Sequence, residues 1–333
     1  MRPDVRSLIG EGPAHSGEAA EGNLYRVLSS FQLEALLAVC DAGSFERAAA
    51  ALHISPSAVS QRIASLERTV GLVLVHRSKP VMATPTGQVL LGLARRTVTL
   101  QQEALASLGR SSTDAPVVAI AVNTDSFASW FDPVIAAVGE LGGIRLDIRL
   151  ADEQRSLELL TRGEVMAAVS TDSRAAPGCE VVALGRLRYL PVISPTLASR
   201  HTAPGDGSLD YLGRIPVVRY DAGDDLDTQL LASLGVSSEA PAHHVPSSQG
   251  YLTAVASGLG WGTLFEDDYR RLSDTGAGVL LHPTAYVEAT LYWHRWKQRV
   301  AVLDTVTDVV RATAARRLRP LRHERESARA PRP

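Results

Sequence analysis

The sequence predicts a multidomain α/β protein with an N-terminal winged helix-turn-helix, a long linker helix, and a C-terminal domain of alternating strands and helices. Three observations predict it. Ser44 to Arg68 (SFERAAAALHISPSAVSQRIASLER) reads as two short helices joined by a tight turn. A seven-residue apolar spacing follows in Leu91, Val98 and Leu105. Beyond Pro116, apolar runs of strand length alternate with helical patterns.

Residues 1–27 are rich in Gly, Pro, Ala and Glu without periodicity, and are expected to form a disordered extension. Phe31 to Ala42 is the first helix, with Phe31, Leu33, Leu36, Leu37, Val39 and Cys40 on its buried face. Cys40 in that stripe reads as a core thiol. Ser44 N-caps the second helix, and the run Ala48 to Ala51 lets another helix come close. Leu52 ends it and His53-Ile54 make the turn. Ser55 is the next N-cap, with Pro56 at the first helical position, where its missing N–H costs nothing.

Val59, Ile63 and Leu66 share one face of that helix. Ser57, Ser60, Gln61 and Arg62 lie off that face, near the helix N-terminus. This is the layout of a helix-turn-helix that offers its second helix to the major groove. Arg and Gln can bond guanine and adenine with two hydrogen bonds, and short Ser side chains permit close approach. An ordinary helical pair with a solvated polar face has the same pattern. Leu72, Leu74 and Val75 then suggest a strand, and His76 to Pro80 a wing whose Arg77 and Lys79 would meet phosphates. A plain charged hairpin is the alternative.

Thr84-Pro85-Thr86 starts a helix running to about Leu108. Leu91, Val98 and Leu105, with Ala94, Gln101 and Leu108, form an a/d seam suited to a two-stranded coiled coil. A single helix docked on its own domain could carry the same stripe. Residues 109–116 (GRSSTDAP) read as a hinge.

After the hinge, strands are expected at Val117–Val122, Ile144–Leu150, Val165–Val169, Tyr189–Ile193, Ile215–Arg219, Gly262–Phe265 and Ala289–His294. Helices are expected at Phe127–Glu140, Glu153–Thr161, Leu226–Leu234, Gly250–Ser257 and Val300–Leu318. Such alternation implies parallel α/β units, with ligands beyond the carboxyl ends of the strands. Asn123 to Ser126 and Pro246 to Gln249 open helices there, offering N–H groups and hydroxyls to an anion. Acids surround them: Asp152-Glu153, Asp221, Asp224 and Asp225. Taken singly, each is equally a helix cap.

Composition narrows the function classes. The 333 residues allow two or three domains. An apolar content of 45%, a charged content of 21% and a formal net charge of −2 suit a soluble globular protein whose DNA site, if any, is local. No apolar run approaches the roughly 18 residues of a membrane helix, and the N-terminus lacks a signal peptide's apolar region. A cytoplasmic location with no membrane partner is expected. Two cysteines, Cys40 and Cys179, make no disulfide framework. His243 and His244, adjacent on an extended segment, point to opposite faces and lack ligand spacing, so no metal is expected. Trp261, Trp293 and Trp296 read as packing residues. No catalytic motif and no nucleophile–base pair appears, so neither an enzyme nor a cofactor is expected.

The segment Phe31 to Gly87, through FQLEALLAVCDAGSFERAAAALHISPSAVSQRIASLE, LVHR and TPTG, resembles the winged helix-turn-helix of LysR-type transcriptional regulators. AVNTDSFASW, ADEQ, TRGEVMAAVST, PGC, YL, HHVPSSQ and LYWHRW are similar to the effector domain of that family's LysG/ArgP branch, which senses basic amino acids. The likeness runs from about Leu28 to Leu318, and residues 1–27 precede the family's usual start.

The resemblance implies a DNA-binding domain over 28–86, a dimerising linker helix over 87–110, and an effector domain over 114–318. That last domain would be two-lobed and periplasmic-binding-protein-like, with lobe I at 116–186 and 284–318 and lobe II at 187–283. Residues 319–333 would be a disordered basic tail. Double-stranded DNA would be contacted by Ser44, Ser55, Pro56, Ser57, Ser60, Gln61, Arg62, Arg77 and Lys79. The effector, L-lysine or L-arginine, would be held by Asn123, Asp125, Ser126, Glu153, Thr171, Asp221 with Asp224 or Asp225, Ser247 and Ser248. Family members vary across Tyr220–Asp227, so the acid that meets the effector side chain stays open. Further implications are a homodimer or homotetramer, RNA polymerase as partner, and control of a target such as a basic amino-acid exporter gene. A solute-binding protein without DNA function and a regulator with another effector are the alternatives.

Overall fold

The computed structural model describes residues 28–108, 115–201, 209–237 and 240–321, apart from the side chains of residues 106, 107 and 153. The expected extension over 1–27 and most of the expected hinge lie outside the described residues. The chain divides into two compact units that meet between Thr97 and Val98.

In the first unit, α1 (Ser30–Ala42), α2 (Phe45–Ala51) and α3 (Pro56–Val70) precede a hairpin of β1 (Val75–His76) and β2 (Met82–Ala83). Local chemistry sets the helix starts. The Ser44 hydroxyl accepts from the Arg47 N–H at 3.1 Å and the Ser55 hydroxyl from the Ala58 N–H at 3.2 Å, with Pro56 in the first turn. Leu36, Val39, Ala48, Val59, Ile63, Leu66 and Leu74 pack into one core. The strand after α3 is shorter than expected, because Leu72 and Val73 are exposed and only Leu74 and Val75 turn inward. Phe31, expected in the core, is 62% exposed. It stands one residue into α1, before the helix settles on its neighbours.

The long helix α4 (Pro85–Ser107) follows. Its expected seam is divided. Leu91 belongs to the core of the first unit and Ala94 is fully buried, whereas Leu105 and Leu108 are exposed, as are Val89, Leu93 and Leu100 outside the expected seam. A heptad stripe records that a face is covered, and here part of the covering is the chain itself. At Gly87 an added Cβ would lie 2.0 Å from the Leu74 carbonyl oxygen, so α4 can sit against the strand only with glycine there. Gly87→Ala should therefore destabilise the first unit by about 1–3 kcal/mol in urea unfolding. An unchanged midpoint would contradict that contact.

The second unit is built on a sheet with seven strands among the described residues. Its elements are β3 (Val117–Val122), α5 (Thr124–Ser129), α6 (Asp132–Leu141), β4 (Arg145–Leu150), α7 (Glu153–Thr161), β5 (Ala167–Ser170) and β6 (Cys179–Ile193). Then come α8 (Pro195–Arg200), β7 (Val217–Arg219), α9 (Leu226–Ser233), β8 (Ala242–His244), α10 (Ser248–Ala256) and β9 (Gly262–Phe265). The last are α11 (Glu266–Asp274), β10 (Val279–Leu280), β11 (Val287–Trp296) and α12 (Ala301–Arg317).

The strands lie in the order β10-β6-β11-β5-β3-β4, with β9 also on β6, and the sheet is mixed rather than parallel throughout. β3 runs parallel to β4 and β5, but β11 is antiparallel to both β5 and β6. Most of β6 escapes sequence reading because Gly185, Arg186 and Arg188 interrupt its apolar pattern. The helix expected over Phe127–Glu140 breaks at Trp130-Phe131. Both rings are buried there, and Pro133, which has no N–H to donate, stands in the first turn of α6.

One core joins β3, β5, β11, α6 and α12, and contains Trp130, Phe131, Trp293 and Trp296. Separate clusters form around Trp261 and Leu230 and around Tyr251 and Val255. Arg319, expected in a disordered tail, exchanges backbone hydrogen bonds with Arg186 at 2.8 and 2.9 Å, and its guanidinium pairs with Glu266. An added Cβ at Gly185 would meet the Leu318 Cβ at 2.8 Å and the Arg319 oxygen at 2.9 Å, so glycine admits this crossing. Residues 322–333 lie outside the described residues. No helix among the described residues is long and apolar enough to cross a membrane.

Candidate functional site

The first unit carries the candidate nucleic-acid face. Ser57 and Gln61, four apart on α3, are exposed together, and Ser60 beside them is half-buried. Ser55 and Pro56 are exposed at the helix start. The Ser55 and Ser57 hydroxyls are 2.9 Å apart. Ser44 acts locally, since its hydroxyl accepts from Arg47 and donates to the Glu46 carboxylate at 3.0 Å. Arg77 and Lys79 are exposed in the hairpin loop. Two arginines rest on rings: Arg62 lies 5.2 Å from the Phe31 centroid, and Arg77 lies 5.5 Å from that of Phe45. Burial pushes the Cys40 thiol up to about 11, which suits its core position and not nucleophilic chemistry.

The second unit holds a cavity of about 690 Å³. Asn123, Asp125, Thr171, Asp221, Asp224, Asp225 and Ser248 line it, which brings together seven of the ten candidate effector residues. Ser126 is fully buried next to Asp125 and does not line the cavity. Ser247 caps α10, its hydroxyl accepting from the Gly250 N–H at 3.3 Å. The Glu153 side chain lies outside the described residues.

Three carboxylates that sequence reading did not place as ligands also line the cavity: Asp152, Asp268 and Glu288. The lining therefore has seven carboxylates and, among the described residues, no Arg, Lys or His. Glu288 is neutralised by Arg186 and by Arg188, the latter at 2.6 Å, and Asp268 is paired with Arg271. Four of the other acids accept from neutral donors. Asp125 accepts from the Tyr189 hydroxyl at 2.5 Å, Asp221 from the Gly223 N–H at 2.7 Å, and Asp225 from the Gln229 amide at 2.8 Å. Asp224 accepts from the Tyr220 N–H at 2.9 Å and the Leu226 N–H at 3.3 Å. Burial nevertheless pushes its carboxyl above the ordinary range, with Asp227 and Asp221 adding to the shift.

Two polar atoms at the start of α5, the Asn123 Oδ1 and the Ser126 Oγ, are buried without a hydrogen-bond partner among the described residues. Tyr189, Tyr251 and Phe265 supply aromatic wall. The Tyr251 hydroxyl accepts from the Thr263 N–H at 3.1 Å, and burial raises its pKa. A roomy, acid-lined cavity with aromatic walls suits a small cation that also carries polar groups. Among the described residues, no group of three or more His, Cys, Asp or Glu could hold a metal ion.

Residues 31–88 match the bacterial regulatory helix-turn-helix protein, lysR family, and residues 112–315 match the LysR substrate binding domain. The chain belongs to the LysR family. This LysR-family chain is 40% identical over 298 residues to the lysine export transcriptional regulatory protein LysG of Corynebacterium glutamicum, spanning 88% of this chain and 100% of the relative. It is 35% identical over 281 residues to the transcriptional regulator ArgP of Vibrio vulnificus, spanning 84% and 94%. Among solved structures, full-length LysG from C. glutamicum with bound effector Arg superposes with a TM-score of 0.76 at 40% identity, covering 88% of this chain and 100% of that one. ArgP from Mycobacterium tuberculosis gives a TM-score of 0.80 at 40% identity, with coverages of 87% and 98%.

Proposed function

We propose that this LysR-family regulator senses L-lysine or L-arginine in the acid-lined cavity and controls a target such as a basic amino-acid exporter gene. The observation that carries the reading is the lining itself: seven carboxylates and no basic residue among those described. A cation entering there exchanges water for preformed acceptors, whereas an anion meets repulsion. The arginine bound to a relative 40% identical to this chain supports the same ligand class. In this reading the effector's α-carboxylate lies at Ser248 or near the start of α5, and its α-ammonium at Asp125. The side-chain cation meets the loop of Asp221, Asp224 and Asp225.

The same reading makes 28–86 the DNA-binding domain and 87–110 the linker. The effector domain then has lobe I at 116–186 with 284–318 and lobe II at 187–283. It places a homodimer or homotetramer in the cytoplasm, on pseudo-palindromic half-sites, working with RNA polymerase. The exposed Val89, Leu93 and Leu100 on α4 supply an apolar stripe for a second copy. Titration calorimetry with L-lysine and with L-arginine tests the effector. Saturable binding of either supports the reading, and absence of binding by both sinks it.

The DNA assignment is tested separately. Arg62→Ala should cost about 1–3 kcal/mol on a specific duplex and little on a scrambled one, because a base contact is lost. Arg77→Ala should weaken both duplexes alike, as a phosphate contact would. Equal losses on both duplexes for Arg62→Ala would refute its role in base recognition.

A further inference from the structure

We propose that Phe31 is a positioning residue for DNA recognition, its exposed ring serving as the platform that holds the Arg62 guanidinium. The proposal rests on the assignment of Arg62 to DNA. Phe31 is 62% exposed and takes no place in the core of the first unit. Exposure alone assigns a single apolar side chain no role, so the role is read from what its ring touches. The use on view is the guanidinium of Arg62, 5.2 Å from the ring centroid, from a helix two elements further along the chain.

The chemistry suits recognition. A guanidinium held over an aromatic ring keeps its N–H donors around the rim, available to a base edge or a phosphate. An unheld arginine samples many rotamers and loses that freedom on binding, whereas a stacked one has lost much of it beforehand. The hairpin loop repeats the device, with Arg77 5.5 Å from the Phe45 centroid. Phe45 also packs against the core, so its replacement would disturb folding. Phe31 is the position where platform and core separate.

The test uses the full chain and a duplex selected from a random-sequence pool by the wild-type protein, with a scrambled duplex as control. Fluorescence anisotropy is measured for Phe31→Ala, Phe31→Leu, Phe31→Trp, Arg62→Ala and the Phe31→Ala/Arg62→Ala pair. Phe31→Ala and Phe31→Leu should each weaken binding to the selected duplex about 2–5-fold, and Phe31→Trp should retain it. Adding Phe31→Ala to Arg62→Ala should change nothing further. Full binding by Phe31→Leu, or the same loss with Arg62 already removed, overturns the platform while leaving the role of Arg62 intact. A neutral Arg62→Ala overturns both.

Discussion

Asp227→Ala should lower the stability of the second unit by about 3–5 kcal/mol, because it removes a buried carboxylate that meets a largely desolvated arginine through two hydrogen bonds. Arg219, at the end of β7, meets Asp227, in the first turn of α9, through two hydrogen bonds of 2.9 Å each. The Asp227 side chain is 3% exposed and that of Arg219 12%. A guanidinium left there without its carboxylate must stay desolvated or drag water inward. The two residues also stand at the ends of the loop that carries Asp221, Asp224 and Asp225. Losing the pair should therefore loosen the acidic wall of the cavity as well as the fold. Chemical unfolding of wild type and variant measures the first effect, and a loss under about 1 kcal/mol would contradict it. The pair Arg219→Met/Asp227→Leu should recover much of the stability, since no charge is then stranded.

What could be read from the sequence was what local chemistry decides. Ser44, Ser55 and Pro56 announce helix starts because the signal lies within three residues of its effect, and α2 and α3 begin there. Val59, Ile63 and Leu66 show their shared face through spacing alone, and all three are buried. The acids of the loop after β7 were visible as a cluster, and the cavity gathers them.

Contacts made by distant parts of the chain were not legible. Glu288 lies on β11 between apolar neighbours, and only the pairing of β11 with β6 brings Arg186 and Arg188 to it. Tyr189 reaches Asp125 from 64 residues away. Leu91 and Leu105 are both seam residues by heptad spacing, yet one is in the first unit's own core and the other is exposed. Phe31 misled for the same reason: its apolarity suggested the core, and its position gave it to Arg62.

L-Lysine and L-arginine should bind the cavity more tightly than L-leucine by several-fold to roughly a thousand-fold, about 1–4 kcal/mol. All three ligands offer the same α-carboxylate and α-ammonium, so the difference isolates the side-chain cation. Leucine would desolvate acids of the 221–225 loop without supplying a charge, and L-glutamate would add repulsion and bind more weakly still. Asp125→Asn should impair effector binding while leaving DNA affinity intact, because the candidate DNA contacts belong to the first unit and Asp125 to the second. The pH dependence follows from the same charges. Bound cation favours the ionised carboxylates, so protons compete with it, and affinity should fall as the pH is lowered. Asp224, whose carboxyl burial holds above its ordinary range, should take up its proton ahead of an ordinary aspartate as the pH falls. Asp224→Asn should accordingly weaken lysine binding and flatten that decline. Calorimetry with the four amino acids, repeated across mildly acidic pH, measures both effects. If leucine binds as tightly as lysine and arginine, the acids around the cavity are only caps for α9 and its neighbouring turns, and the basic-amino-acid reading fails.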